Sequence, residues 1–324
     1  MKARILRYSR EAVREGGLVI KRGGLVAFPT ETVYGLGASA FNPNAVARIF
    51  EVKRRPRFDP IIVHVANPEE VERICLEVSG DAWMLIRRFW PGPLTLVLPK
   101  SDAVPDIVTA GLETVAVRMP SHPVALELIR EAGVPVAAPS ANLFGRLSPT
   151  TAKHVKEQIG DEIDLIIDGG RCPIGVESTV LDLTGEPTVL RPGGLPIEEI
   201  EEVIGKVKFS PVSRVPRSPG QLPRHYSPRT PIRILRGEEP KIPEGVRAGL
   251  LAYKQPKTRP RFKMVRVLSP KGDLREAAAN LFSLLHELDE AGLDVIYVEP
   301  VPETGLGRAI MDRLLKAEGL EKTS

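Results

Sequence analysis

The chain has 324 residues, 42% hydrophobic and 27% charged, a globular composition with room for two domains of roughly 100–200 residues each. The formal net charge is +4 and the pI about 9.0, a mild tilt towards anionic partners that falls short of a nucleic-acid-binding composition. No run approaches the ~20 apolar residues of a spanning helix, and Cys75 and Cys172 stand far apart with no CxxC pair, which leaves a membrane span, a zinc ribbon and a disulfide framework without support and fits a reducing cytoplasm. In chain order, Ser9 caps a helix to about Lys21, Gly23-Gly24 stop it, and residues 25–28 form a strand ended by Pro29. Helices are predicted over 45–52, 68–78 and 81–89, then over 122–131, 151–159 and 197–204. Strands fall at 61–65, 94–98, 115–119, 136–138, 165–168, 178–183 and 188–190, short and rich in Val, Ile and Leu as in sheets covered on both faces. Residues 1–207 therefore read as an α/β domain with a mixed sheet and helices packed on it.

The character changes after that. Residues 206–236 hold no acid, six prolines and six arginines, among them Arg214 and Arg224. Proline at this density forms neither a helix nor a central strand, so 208–230 reads as a cationic linker. Residues 231–324 read as a smaller α/β unit, with strands at 246–253, 264–268 and 295–298, a helix from Gly272-Asp273 to about Leu288, and a last helix over 306–317.

Several chemistries are missing. There is no G-x-x-x-x-G-K-[ST] loop, no G-x-G-x-x-G after a strand, no second His four residues beyond His286 and no G-x-S-x-G elbow. What stands out instead is a cationic knot, Lys53-Arg54-Arg55-Pro56-Arg57. Four cations in five residues repel one another, and a phosphate chain is the ligand that neutralises them best, although a solvated turn fits the segment as well. Several strands also end in small polar groups, where α/β sheets bind ligands. Thr30, Glu31 and Thr32 follow one strand, as hydroxyls for a ligand or as turn caps. His64 lies within an apolar run, as a core residue or a ligand contact. Arg118 ends another strand, where its partner is a structural acid or a substrate carboxylate. Ser140 and Asn142 follow Pro139 in a turn, and Glu177-Ser178-Thr179 and Arg191 complete the set. Together these islands suit a nucleotide plus a small polar acid.

Six ordered motifs resemble the threonylcarbamoyl-AMP synthase family, with its YrdC-like domain. They are the runs 29–36 and 53–56, Trp90-Pro91-Gly92-Pro93-Leu94-Thr95, Val117-Arg118-Met119-Pro120, Pro139-Ser140-Ala141-Asn142 and Gly175-Val176-Glu177-Ser178-Thr179. Beyond residue 205, Ser218-Pro219-Gly220-Gln221, His225-Tyr226-Ser227-Pro228 and the run 305–311 resemble the linker and C-terminal signature of the longer two-domain form. The resemblance implies a twisted mixed sheet followed by a smaller Rossmann-like domain. It implies that L-threonine, bicarbonate and ATP, with Mg²⁺, become threonylcarbamoyl-AMP and pyrophosphate. The product would pass to a tRNA threonylcarbamoyl transferase for modification of ANN-decoding tRNAs. Lys53 and Arg55 would carry catalysis and hold the triphosphate, with Asp59, Thr114, Ser140, Asn142, Ser148, Arg191 and Tyr226 as further ATP contacts. Thr32, His64, Arg118, Ala138 and Ser178 would hold threonine, and the linker would close over the pocket through Tyr226. Asp59 departs from the family's usual Asn and would repel phosphate unless it faces Mg²⁺ or an arginine. An RNA-binding module gripping tRNA through a basic face is the alternative, motivated by the acid-free stretch 206–236.

Overall fold

The computed structural model describes residues 3–210, 216–222, 225–237, 240–256 and 262–319. Residues 211–215 and 223–224 of the predicted linker, with Arg214 and Arg224, lie outside them. Among the described residues, eleven strands form one mixed sheet. Its order is Arg4–Arg7, Leu165–Asp168, Val26–Pro29, Tyr34–Ser39, Val136–Ala137, Val63–His64, Thr114–Arg118, Leu94–Pro99, Thr179–Asp182, Thr188–Arg191, Lys208–Phe209. Helices cover it through their buried apolar residues, and several of them are started by a side-chain cap. Ser9 Oγ accepts from Ala12 N to start Arg10–Lys21, and Ser79 does the same for Gly80–Phe89. Asn42 caps Pro43–Lys53, with Pro43 at the first turn, where its missing N–H costs nothing.

Two sequence expectations change. The helix expected over 68–78 is a 3₁₀ turn, Pro68–Glu70, and a single helical turn, Val71–Ile74. Tertiary pairing stops it there, since Cys75 bridges to Lys100 and Leu76 N donates to Pro99 O. Tyr34–Ser39, for which no element was expected, is a central strand paired antiparallel to Val26–Pro29. Its glycines serve packing: a Cβ on Gly37 would stand 2.7 Å from the Phe28 ring.

The second unit is a parallel four-stranded sheet in the order Ile232–Ile234, Val295–Val298, Ala248–Ala252, Met264–Val267. Leu274–Glu290, capped by Asp273, and Leu306–Glu318 pack with it. Leu281, Phe282, Ile310 and Leu314 of this unit share one apolar cluster with Val33, Leu147 and Val176 of the first, and with Tyr226. Polar contacts cross the same boundary: Arg171 Nη2 donates to Ala279 O at 2.6 Å, and His286 Nε2 lies 3.2 Å from Ser148 O.

Candidate active site

The helix Pro43–Lys53 ends at Arg54, whose left-handed φ of 52° turns the chain sharply. That turn splits the cationic knot. Lys53 and Arg55 point inward, 1% and 7% exposed, while Arg54 and Arg57 face solvent. Strand pairing supplies the other side groups: Val63–His64 runs parallel to Thr114–Arg118, placing His64 beside Arg118 at their carboxyl ends. Ser140 bridges back to Gly35, fixing the turn after Val136–Ala137.

These elements wall one cleft. Thr32, His64, Arg118, Ala138 and Ser178, all predicted for one substrate, line it. So do Arg55, Ser140, Arg191 and Tyr226, predicted for the other. Pro219, Gly220, His225 and Tyr226 of the linker form part of its wall, with Tyr226 only 1% exposed. Gly220 has a φ of 85°, and a Cβ there would stand 2.6 Å from the Tyr226 hydroxyl, so the linker passes only as glycine.

Five predicted residues do not line the cleft. Lys53 lies just behind, where its ammonium donates to Ser140 O and Asn142 O, each at 2.5 Å, and so braces the turn from inside. Asn142 Nδ2 is spent on Leu143 O and Arg146 O. Asp59 is paired with Arg55 Nη2 at 2.9 Å, so the acid that replaces the usual Asn does face an arginine. Ser148 donates to Glu177. Thr114 begins the strand that Arg118 ends; four residues put it about 13 Å from that end, so the structure does not bring it to the cleft.

Most charges are matched. Arg118 contacts Glu31 at 2.6 Å, Thr32 Oγ1 at 3.0 Å and Gly92 O at 3.1 Å. Arg118 thus has a structural acid beside it while it lines the cleft, and Glu31 is a neighbouring buried residue that sequence reasoning left unassigned. Arg191 differs: it donates to Ser178 O at 2.9 Å, Ser178 Oγ at 3.1 Å and Pro219 O at 3.2 Å. Lys53 and Arg191 are without a carboxylate at ion-pair distance among the described residues, so they carry the uncompensated positive charge. Burial and the neighbouring Arg55 push the Lys53 ammonium well below its usual pKa, a tension that a bound anion would relieve. Burial, then Arg118, hold His64 neutral with a pKa of about 3, and its buried Nδ1 has no hydrogen-bond partner. Burial alone would raise the Glu177 carboxyl, but Arg313, Arg191 and the Ser148 hydroxyl outweigh it and hold it at about 2.

Cations at strand ends, with neither a phosphate loop nor a nucleophile–base pair, define an α/β site that binds and neutralises anions rather than one that attacks with a side chain. Residues 18–193 match the Sua5, YciO and YrdC family model, described as telomere recombination, and residues 195–319 match the model of the threonylcarbamoyl-AMP synthase C-terminal domain. The chain is 49% identical over 317 residues to a threonylcarbamoyl-AMP synthase of Pyrococcus abyssi, covering 93% of this chain and 92% of that one. It is 44% identical over 321 residues to the Bacillus subtilis threonylcarbamoyl-AMP synthase, covering 95% and 93%. The crystal structure of P. abyssi Sua5 complexed with L-threonine superposes with a TM-score of 0.91 at 46% identity, over 98% of both chains. The chain is an enzyme of the threonylcarbamoyl-AMP synthase family.

Proposed function

We propose that the chain is an L-threonylcarbamoyladenylate synthase, which joins L-threonine, bicarbonate and ATP into threonylcarbamoyl-AMP and pyrophosphate. The observation that carries this is a single cleft joining the Ser140 turn, braced by Lys53, to the His64 and Arg118 strand ends. One half suits a phosphate chain and the other a small amino acid. L-threonine bound to the P. abyssi relative supports the second half.

The threonine amine attacks the bicarbonate carbon: a C–N bond forms, the C–OH bond breaks, and the hydroxyl leaves as water with a proton from the amine, giving a carbamate. A carbamate oxygen then bonds to the α-phosphorus as the bond to the β-phosphate oxygen breaks, and pyrophosphate leaves. No protein nucleophile takes part. The chain's task is to hold unstable carbamate and phosphate together and to neutralise developing charge. Arg55 and Arg191, both lining the cleft, are the donors towards phosphate, and Lys53 acts from behind by holding the Ser140 turn and adding positive charge. Arg118, spent on Glu31, Thr32 and Gly92, acts as a fixed frame that presents the Thr32 hydroxyl and the neutral His64 edge to threonine. Mg²⁺ fits only as a companion of the triphosphate. Among the described residues no three His, Cys, Asp or Glu form a metal cluster, and Asp59 and Glu177 are each paired with an arginine. When bound it would supply charge neutralisation and keep most of its waters.

The test is pyrophosphate release from purified protein. It should require threonine and bicarbonate together; release undiminished without threonine would sink the reading. The product would pass to the tRNA threonylcarbamoyl transferase in the cytoplasm. No described helix is long and apolar enough to cross a membrane.

A further inference from the structure

The helix Leu306–Glu318 belongs to the second domain, yet its charged face is buried where the linker crosses the cleft. Arg313 is 1% exposed, and its Nε donates to Glu177 Oε2 at 2.7 Å. Its guanidinium carbon lies 4.8 Å from the centre of the Tyr226 ring, within cation–π distance. One turn on, Lys316 Nζ donates to Gly220 O at 2.7 Å and pairs with Asp312 at 2.8 Å. Asp312 also accepts from Arg313 Nη1 at 2.6 Å, so one carboxylate ties both cations together. Two further contacts come from the same helix: His225 N donates to Lys316 O at 3.4 Å, and Ser227 Oγ to Ala317 O at 3.4 Å.

Tyr226 and Gly220 line the cleft on their other side, as does Glu177. Tyr226 also has a φ of 61°, uncommon for a residue with a side chain and maintained only where the surroundings fix it. Arg313 therefore touches, from outside the catalytic domain, both the aromatic residue that roofs the cleft and a carboxylate in its wall.

We propose that Arg313, seconded by Lys316, is a positioning residue through which the second domain holds a linker strap, namely Gly220, His225 and Tyr226, and the Glu177 carboxylate in their places at the cleft. Arg313 touches no substrate; it sets where Tyr226 and Glu177 stand. The proposal rests on the reading of the cleft as the substrate site for its kinetic consequence, but not for its structural one.

The experiment is amide hydrogen exchange of the substrate-free full chain, read over peptides spanning 216–229, for wild type, Arg313→Met, Arg313→Lys and Lys316→Met. Loss of the clamp should speed exchange of the strap at least tenfold in Arg313→Met, and Arg313→Lys should restore most of the protection. Exchange within twofold of wild type in a folded Arg313→Met protein overturns the proposal. If Arg313→Met does not fold, Lys316→Met carries the same test, because it releases Gly220 O while leaving the Arg313–Glu177 pair: faster exchange at 220–222 supports the clamp and unchanged exchange overturns it. In parallel, steady-state pyrophosphate release should show KM for ATP raised about tenfold in Arg313→Met with kcat changed much less, and Arg313→Lys within about threefold of wild type. A raised exchange rate in Arg313→Met, with no threonine-dependent pyrophosphate release from the wild-type protein, would leave the clamp standing and remove the substrate reading.

Discussion

Lys53 is where the residue scale is most informative. Its charge announces a phosphate site, but its position makes it a brace for the turn that carries Ser140. Lys53→Met would leave two buried carbonyls without a donor, a loss of about 3 kcal/mol. We expect a lower urea midpoint together with the loss of adenylate formation. An RNA-binding reading would leave RNA affinity only slightly reduced. A Lys53→Met protein that keeps full pyrophosphate release would show that the charge is irrelevant to the reaction. His64 gives a prediction of a different kind. With a folded pKa of about 3 against an ordinary 6.5, it stays neutral throughout the neutral range. A depressed histidine pKa makes folding less favourable as pH falls from 6.5 towards 3, because the unfolded chain takes up the proton first. The pH profile of KM for threonine should accordingly show no inflection near 6.5 from this residue; an inflection that disappears in His64→Gln would contradict the buried neutral ring.

At the scale of elements, the legible parts were those whose signals are local. The Ser9 cap and the stripe behind it give Arg10–Lys21, and Ser9→Ala should cost about 1 kcal/mol of thermal stability, measured as a modest fall in Tm with activity unchanged. The Asp273 cap likewise gives Leu274–Glu290. The helix expected over 68–78 failed because its helical propensity lost to a bridge between Cys75 and Lys100, residues that sequence cannot place together. Tyr34–Ser39 was hidden by its glycines, which are there because Phe28 and Val136 crowd the strand. Gly220→Ala tests the same argument in the linker. The substitution meets both an unfavourable φ and the Tyr226 hydroxyl, so it should displace Tyr226 and raise KM with little change in the stability of the first domain. A crystal structure of the variant with Tyr226 unmoved would refute it.

On the scale of the molecule, the two units share an apolar cluster and a buried charge cluster, so neither is finished alone. A truncated chain of residues 1–207 would expose Val33, Leu147 and Val176 and leave Glu177 without Arg313. We expect it to bind a hydrophobic dye, aggregate and lose activity; a monomeric, fully active fragment would mean the second domain contributes nothing to the cleft. The same pair sets an acid limit. Glu177 has its pKa lowered from 4.5 to about 2 by its arginines and Ser148. A depressed carboxylate stabilises fully above the unfolded pKa, and that contribution, of order 3 kcal/mol, is lost as pH falls from 4.5 towards 2. Acid unfolding followed by fluorescence should therefore show Glu177→Gln less stable than the parent at neutral pH and less sensitive across that window.

The sequence by itself determined the alternation of helices and strands, the polar groups at the strand ends and, through ordered motifs, the family. Those properties live in local spacing, capping and composition. It also marked nine residues that the fold gathers around one cleft, because strand ends in an α/β sheet converge. Only the tertiary structure decided what each charged group is for. Arg118 belongs to Glu31, Asp59 to Arg55 and Lys53 to two carbonyls, and Thr114 stands at the far end of its strand. Arg313 reaches Glu177 across 136 residues of sequence, and nothing near it in the chain predicts that partner. Which ions meet in a buried site depends on how distant segments pack, and the cost of burying an unpaired charge makes that packing selective.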